Sequence, residues 1–433
     1  MTDEPQSSSQ RIGFVSTRIS GTDGVSLEVE KWAHVLEAMG HTCFYVAGQS
    51  DRPAERTFLI PEAHFTHPTI KQINRLCFEG GRRTLHLTAE IHETAWIIKQ
   101  RLYDAIEKFK LDVVIAENCL TIPMNIPLGI ALVETIVETG LGCIAHHHDF
   151  VWERERFLVN AVEDYIRFAF PPALATMQHV VINTKAARDF SRNTGLSCRV
   201  IPNVMNFDEP PAPVDDYASD FRETIGLTPD DILILQPTRI VPRKGIEHSI
   251  ELIAQLKDPR AKLVITHAYG DEGDAYAQRV RRFADLMNVD VIFADRWIST
   301  KRGTTEDGAK QYTVWDAYPH ADLVTYPSTY EGFGNAFLEA LYYRKPILCN
   351  RYAIYRTDIE PCGFDVILMD GFLTDETVER TRRVLDDEAL RTRMVEHNYE
   401  VATRYFSYRR LEAELQAILA KPQLDSMPAK LTR

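Results

Sequence analysis

Tyr330-Glu331-Gly332-Phe333-Gly334-Asn335-Ala336-Phe337-Leu338-Glu339-Ala340 follows an apolar run, Leu323 to Tyr326, and a Pro327-Ser328 turn. The spacing predicts a strand, a glycine loop and then a helix over Asn335 to Tyr343. That order sets backbone N–H groups against an anion. Gly332 and Gly334 allow the backbone to approach a ligand closely. Two carboxylates frame the stretch. Asn335 to Glu339 is about one helical turn, roughly 6 Å of rise. One acid therefore sits at the loop and the other a turn down the helix. Such a pair suits a ligand with a polyol at each end and a diphosphate between, which is the shape of a nucleotide-sugar. The plainer alternative is a helix N-terminus with solvated acids.

The same strand–helix rhythm runs along the whole chain. Strands are predicted at 12–16, 43–47, 113–116, 143–145, 180–182 and 199–201 in the first half. In the second half they are predicted at 232–236, 262–266, 290–293, 323–326, 347–349 and 366–368. Helices are predicted between them, among others at 27–39, 94–109, 154–168 and 377–385. Alternation of this kind argues for parallel sheets covered on both faces. A break falls at Phe207 to Tyr217, where four acids and three prolines suit an extended linker. The polar stretch Ser299 to Lys310 reads as an inserted mobile loop. Two further helices, 388–402 and 408–419, close the chain.

With 433 residues, two or three domains are expected. A net charge of −13 argues against a nucleic-acid binder, which needs a basic face for phosphates. The seven cysteines form an odd set without a CxxC pair, so reduced, mostly buried thiols and a cytoplasmic location are predicted. The first ten residues are polar and predicted disordered, without the apolar core of a signal peptide. No apolar run reaches the ~18 residues of a membrane span.

Four other stretches carry chemistry. Pro237-Thr238-Arg239-Ile240-Val241-Pro242-Arg243-Lys244-Gly245 follows the first strand of the second half. Ligands of open α/β sheets bind outside the carboxyl ends of strands. Arg239 and Lys244 would project cations there, while Arg243 is expected in solvent. Gly21-Thr22-Asp23-Gly24-Val25 follows the first strand and lacks the dinucleotide G-x-G-x-x-G pattern. His146-His147-His148-Asp149-Phe150 ends another strand. In extended backbone His146 and His148 share a face, but zinc would need further ligands, so no metal is expected. Arg296-Trp297-Ile298 and Ile201-Pro202-Asn203-Val204 also lie at strand ends.

Together these stretches resemble the retaining GT-B glycosyltransferases, in particular glycosyltransferase family 4, over nearly the whole chain. The resemblance implies two Rossmann-like, doubly wound parallel-sheet domains facing a cleft. These would be an acceptor-side domain at 11–206 and a nucleotide-sugar-binding domain at 207–400. A C-terminal helix within 401–433 would cross back to the first. It implies catalytic roles for His148, Arg239, Lys244 and Glu331. Glu331 would face the donor hexose, Arg239 and Lys244 the diphosphate, and Glu339 the ribose. Gly24, Asp149, Gly332, Phe333, Gly334 and Asn335 would also contact the donor, with Trp297 or Ile298 at its base. No cofactor is expected.

The expected partners are a nucleotide-sugar, of GDP-mannose or UDP-glucose type, and a small soluble acceptor. Neither nucleic acid nor membrane insertion is expected, and a homo-oligomer stays open. His-His-His-Asp-Phe with Trp152-Glu153-Arg154 is similar to enzymes that make compatible-solute glycosides such as mannosylglucosylglycerate. There are departures. Arg344-Lys345-Pro346 has arginine where many relatives have glycine, and Arg351 to Tyr355 replaces their acidic segment. A phosphorylase, an epimerase and a silent nucleotide-sugar sensor are the competing readings. A phosphorylase of the pyridoxal type needs a Schiff-base lysine, and no segment of this sequence suggests one.

Overall fold

The computed structural model describes residues 9–21, 23–267 and 275–420. Thr22 of the Gly21–Val25 loop, most of the polar N-terminal ten and the end of the 401–433 segment lie outside the described residues. The chain divides into two compact units. One runs to Pro202 and resumes at Arg409; the other is Asn203–Tyr408.

The first unit is built on β1 (Arg11–Ser16), β2 (Thr42–Ala47), β3 (Thr57–Leu59), β4 (Val113–Glu117), β5 (Gly142–His147), β6 (Met177–Val181) and β7 (Arg199–Val200). All pairs are parallel, in the order β3-β2-β1-β4-β5-β6-β7. The central strands are Val/Ile-rich and buried, as a sheet covered on both faces requires. Order reverses between β1 and β4, so their carboxyl ends flank the crevice where ligands of such sheets bind. Ser16 and Glu117 meet there, the Ser16 hydroxyl donating to the Glu117 carbonyl at 2.9 Å.

The second unit repeats the plan. Its strands are β8 (Ile232–Gln236), β9 (Ala261–Ile265), β10 (Val291–Phe293), a short pair β11 (Gly303–Thr304) and β12 (Lys310–Gln311), then β13 (Leu323–Tyr326), β14 (Ile347–Asn350) and β15 (Ile367–Met369). The six-stranded sheet runs β10-β9-β8-β13-β14-β15, again all parallel. Its switch point lies between β8 and β13, the two strands that precede the Arg239–Lys244 and Glu331–Glu339 stretches. Asn203 and Phe207 are held inside this unit. The Asn203 amide donates to Asn335 at 2.7 Å, and Phe207 packs edge-on to Tyr342 and Tyr399.

Several elements differ from the sequence expectation. The helix expected over 154–168 is two pieces, Glu155–Leu158 and Glu163–Ala169. Between them Asn160 accepts from Val162 N–H and donates to the Phe157 carbonyl, offering the backbone an alternative to helix. The stretch expected as a mobile loop at 299–310 contains the antiparallel β11–β12 pair. Arg302 joins it to Asp215 and Asp316, and Lys310 joins it to Asp220. The helix Pro68–Phe78 was not anticipated, and Leu85–Phe109 starts a full nine residues before the expected 94–109. The helix Glu388–Phe406 stays in the second unit, while Tyr408–Leu419 packs on the first through Arg199–Glu414 (2.9 Å) and Gln178 Nε2 to the Ile418 carbonyl (3.1 Å). All seven cysteines are free. No helix among the described residues is long and apolar enough to cross a membrane.

Gly48, just past β2, is fixed by close approach. A Cβ there would lie 2.2 Å from the backbone nitrogen of His64. Backbone cannot swing aside as a side-chain tip can. Gly48→Ala is therefore expected to destabilise the first unit by about 1–3 kcal/mol. Thermal unfolding followed by circular dichroism should show a lowered transition; an unchanged profile would mean that the loop yields freely.

Candidate active site

In the second unit, the loops after β8 and β13 meet over the switch point. Lys244 is 8% exposed and Glu331 also 8%. The Lys244 ammonium donates to Glu331 Oε1, and Arg243 Nη1 to Oε2 at 3.0 Å. Burial pushes the Glu331 carboxyl up, but the two cations outweigh it and hold it below its usual range. Arg243, expected in solvent, is thus a working partner of the acid. Backbone binds the loops too: Thr329 N–H donates to the Arg243 carbonyl at 2.8 Å. Gly245 sits at φ +59, and a Cβ there would stand 2.5 Å from the Pro327 carbonyl.

Arg239 is exposed and forms no ion pair among the described residues, yet its charge acts on Lys244. His267, just beyond β9, feels the same cations. Burial, then Arg239 and Lys244, lower its pKa to about 4, so it stays neutral. Sequence reading passed over His267, although its place at a strand end was a usable signal.

Gly334 caps the helix Asn335–Tyr342 at φ 130, with no side-chain cap. The Phe337 N–H donates to the Gly334 carbonyl at 3.0 Å, which leaves the Asn335 and Ala336 amides to face an anion. Phe333, by contrast, is core: it is 2% exposed, packs against Phe406, and its carbonyl accepts from the Tyr352 hydroxyl at 2.7 Å. Gly332 is half-buried beside it. The Asn335 side chain accepts from Asn203. Glu339, one turn on, is half-buried and accepts from the Tyr318 hydroxyl at 2.6 Å. Trp297 and Ile298 follow edge strand β10. Trp297 uses its N–H on Ala294 and its carbonyl on Tyr312, and Ile298 N–H also goes to Ala294.

In the first unit, the histidine run ends β5 and its rings alternate. His146 and His148 point to one side, onto Glu117 at the end of β4. His147 points to the other, bonded to Thr121 (2.6 Å) and His179 (2.9 Å). Glu117 Oε1 lies 2.9 Å from His146 Nδ1 and 2.6 Å from His148 Nε2. Burial raises the Glu117 carboxyl, but the two imidazoles overcome it and lower the pKa to about 2. Sequence reading missed Glu117. Among the described residues these three form the group whose ligand atoms lie within 4.8 Å of one another. Asp149 accepts from Asn118 (3.1 Å) and pairs with Arg154. Gly24 opens the helix Gly24–Ala38 and is exposed. Asp23 accepts from the Val25 and Ser26 amides, so that helix N-terminus already holds an anionic cap.

Two doubly wound parallel sheets, one carrying paired acids and cations at its switch point, define the GT-B class of glycosyltransferase. Among solved structures, Anabaena HepE in complex with UDP-glucose shares this fold at a TM-score of 0.62 and 13% identity, over 95% of this chain and 99% of that one. The family model for glycosyl transferases group 1 matches residues 308–401, which contain the Glu331–Glu339 stretch. The chain is 31% identical to mannosylglucosylglycerate synthase of Thermotoga maritima, over 93% of this chain and 98% of the relative. It is 32% identical to the Petrotoga mobilis protein of the same name, over 82% and 86%. The chain therefore belongs to the glycosyltransferase family that includes the mannosylglucosylglycerate synthases.

Removing Lys244 would leave a buried Glu331 with Arg243 alone. Lys244→Met is expected to cost about 3 kcal/mol, and Arg239→Met little, because Arg239 is exposed and unpaired. Denaturant unfolding of both variants checks this; equal effects would show that the Lys244–Glu331 pair does not hold the loops.

Proposed function

We propose that the chain is a retaining hexosyltransferase. It moves a hexose from a nucleoside diphosphate sugar, of GDP-mannose or UDP-glucose type, to a hydroxyl of a small compatible-solute glycoside. The observation that carries this reading is the nearly full-length relationship to the Thermotoga maritima mannosylglucosylglycerate synthase.

The diphosphate enters between Arg239, Lys244 and the Asn335 and Ala336 amides at the start of the helix Asn335–Tyr342. Lys244 then exchanges its carboxylate partner for phosphate oxygens. Glu331, relieved of one cation, faces the hexose hydroxyls. Glu339 receives the ribose, and the Ile298 carbonyl remains for the base. Roles at the sugar are assigned to His148 and Asp149 as well. As the bond from the anomeric carbon to the diphosphate breaks, negative charge grows on the leaving oxygen. Cations aimed there stabilise the transition state more than the ground state. The acceptor hydroxyl attacks the same face, its oxygen bonding to the anomeric carbon while its proton passes to the departing phosphate. The configuration is thereby retained.

The direct test incubates the enzyme with GDP-mannose or UDP-glucose and glucosylglycerate, and reads the anomeric signals of the product by NMR. An inverted product, or no transfer from either donor, would overturn the reading. Arg239→Ala and Lys244→Ala, assayed where both remain folded, are each expected to lose roughly 2–4 kcal/mol of transition-state stabilisation, mostly in kcat. The double variant should lose less than the sum, because both serve one group; full additivity with unchanged kcat would place them outside the reacting centre. Glu339→Ala should weaken nucleoside diphosphate binding roughly ten-fold. Calorimetry showing unchanged affinity would remove the ribose role.

A further inference from the structure

Glu117, His146 and His148 converge more tightly than a catalytic histidine alone requires. Glu117 and His146 are register partners on neighbouring parallel strands, and His148 lies two residues further on the same face. Glu117 is 0% exposed and His146 1%, while the His148 side chain is 11% exposed. One carboxylate oxygen faces one nitrogen of each ring, at 2.9 and 2.6 Å. Donor atoms around a tetrahedral ion with bonds of about 2.1 Å stand about 3.4 Å apart. Outward shifts of less than an ångström at each ligand would therefore admit an ion.

The cluster lies in buried, charged surroundings. Glu28, on the helix Gly24–Ala38, is 1% exposed, and its charge acts on His148. Its Oε1 is taken by Lys31 at 2.6 Å, but its Oε2 is buried without a hydrogen-bond partner. His146 Nε2 is equally buried and unpartnered. Buried polar atoms are normally satisfied, but neither orphan is an atom that faces Glu117 Oε1, so the site rests on the three ligands themselves. The rings are also held in place. His146 stacks on Trp32 at 4.3 Å between ring centres, and the His148 backbone N–H donates to Asn118 at 3.1 Å.

We infer that Glu117, His146 and His148 form a site for a divalent first-row transition ion of the zinc class. Two imidazoles and one carboxylate, with a fourth position left for water, are a donor set that zinc accepts. Nitrogen and carboxylate ligands favour such an ion over calcium or magnesium. The partly exposed His148 places the open position on the solvent side of the cluster. The ion would fix His148 at the strand ends of the first unit. The inference departs from the expectation of no metal, because the sequence displays the histidines but not their partner 29 positions earlier. It stands independently of which sugar is transferred.

The test is metal binding by the intact protein. Chain stripped with a chelator is refilled with zinc, desalted and measured by elemental mass spectrometry, and cobalt(II) is added in parallel for its visible absorption. About one zinc per chain, intense cobalt d–d bands and a zinc-dependent rise in Tm are expected. Glu117→Gln and His148→Asn should each weaken zinc at least ten-fold in a competition titration, while His86→Ala, on the helix Leu85–Phe109, should not. Zinc well below stoichiometry in the wild-type chain, or binding unchanged in a folded Glu117→Gln or His148→Asn protein, would overturn the site. If both variants fail to fold, the wild-type stoichiometry and cobalt spectrum decide alone.

Discussion

The buried contact of Lys244 and Arg243 with Glu331 is the constraint on which the second unit's chemistry depends. It joins the loops after β8 and β13 above the point where strand order reverses, across 87 positions of sequence. A buried ion pair adds little net stability over an apolar packing of the same volume. Its value here is that it keeps two charges dehydrated, oriented and ready. Beneath it lies a polar layer that prevents the loops from drifting. Gln236 accepts from Ser249 (2.6 Å) and Thr325 (3.1 Å) and donates to Thr238 (3.0 Å). Gln236 and Thr325 belong to β8 and β13 and Ser249 to the helix Ile246–Leu256, so sheet and helix together set the positions of the charges.

The first unit uses the same device with different chemistry. Adjacent parallel strands in register bring Glu117 and His146 side by side, and the alternation of extended backbone adds His148 while turning His147 away. The away-facing ring is no less committed. Burial and the neighbouring imidazoles drive its pKa well below the ordinary histidine value, so it sits neutral between Thr121 and His179. One run of three identical residues thus supplies two separate environments.

Much of this was legible in the sequence because much of it is local. Strand, loop and helix in succession are a short-range pattern, and it located Glu331, Arg239 and Lys244 in loops after strands and Glu339 one turn down the helix that follows. Long-range pairing was not legible. The family resemblance placed Lys244 and Glu331 separately on ligand groups, whereas in the structure they hold each other. Arg243 was expected in solvent because its partner lies on another loop. Glu117 was passed over because an acid ending an apolar strand carries no signal until β5 is laid beside it. The broken helix near Asn160 shows the converse limit, where a side chain redirects the backbone inside an otherwise helical pattern.

The helix Tyr408–Leu419 has a consequence for the newly made chain. It belongs to the unit that the N-terminus begins, yet it is synthesised after the whole of the other unit. At ordinary elongation rates roughly 10–40 s separate Pro202 from Arg409 at the ribosome. Throughout that interval the β6 and β7 surface that Gln178 and Arg199 offer to this helix stays uncovered. The order of translation therefore makes the second unit a precondition for completing the first, and a chain truncated just before residue 409 would carry the whole second unit yet leave the first with an open flank.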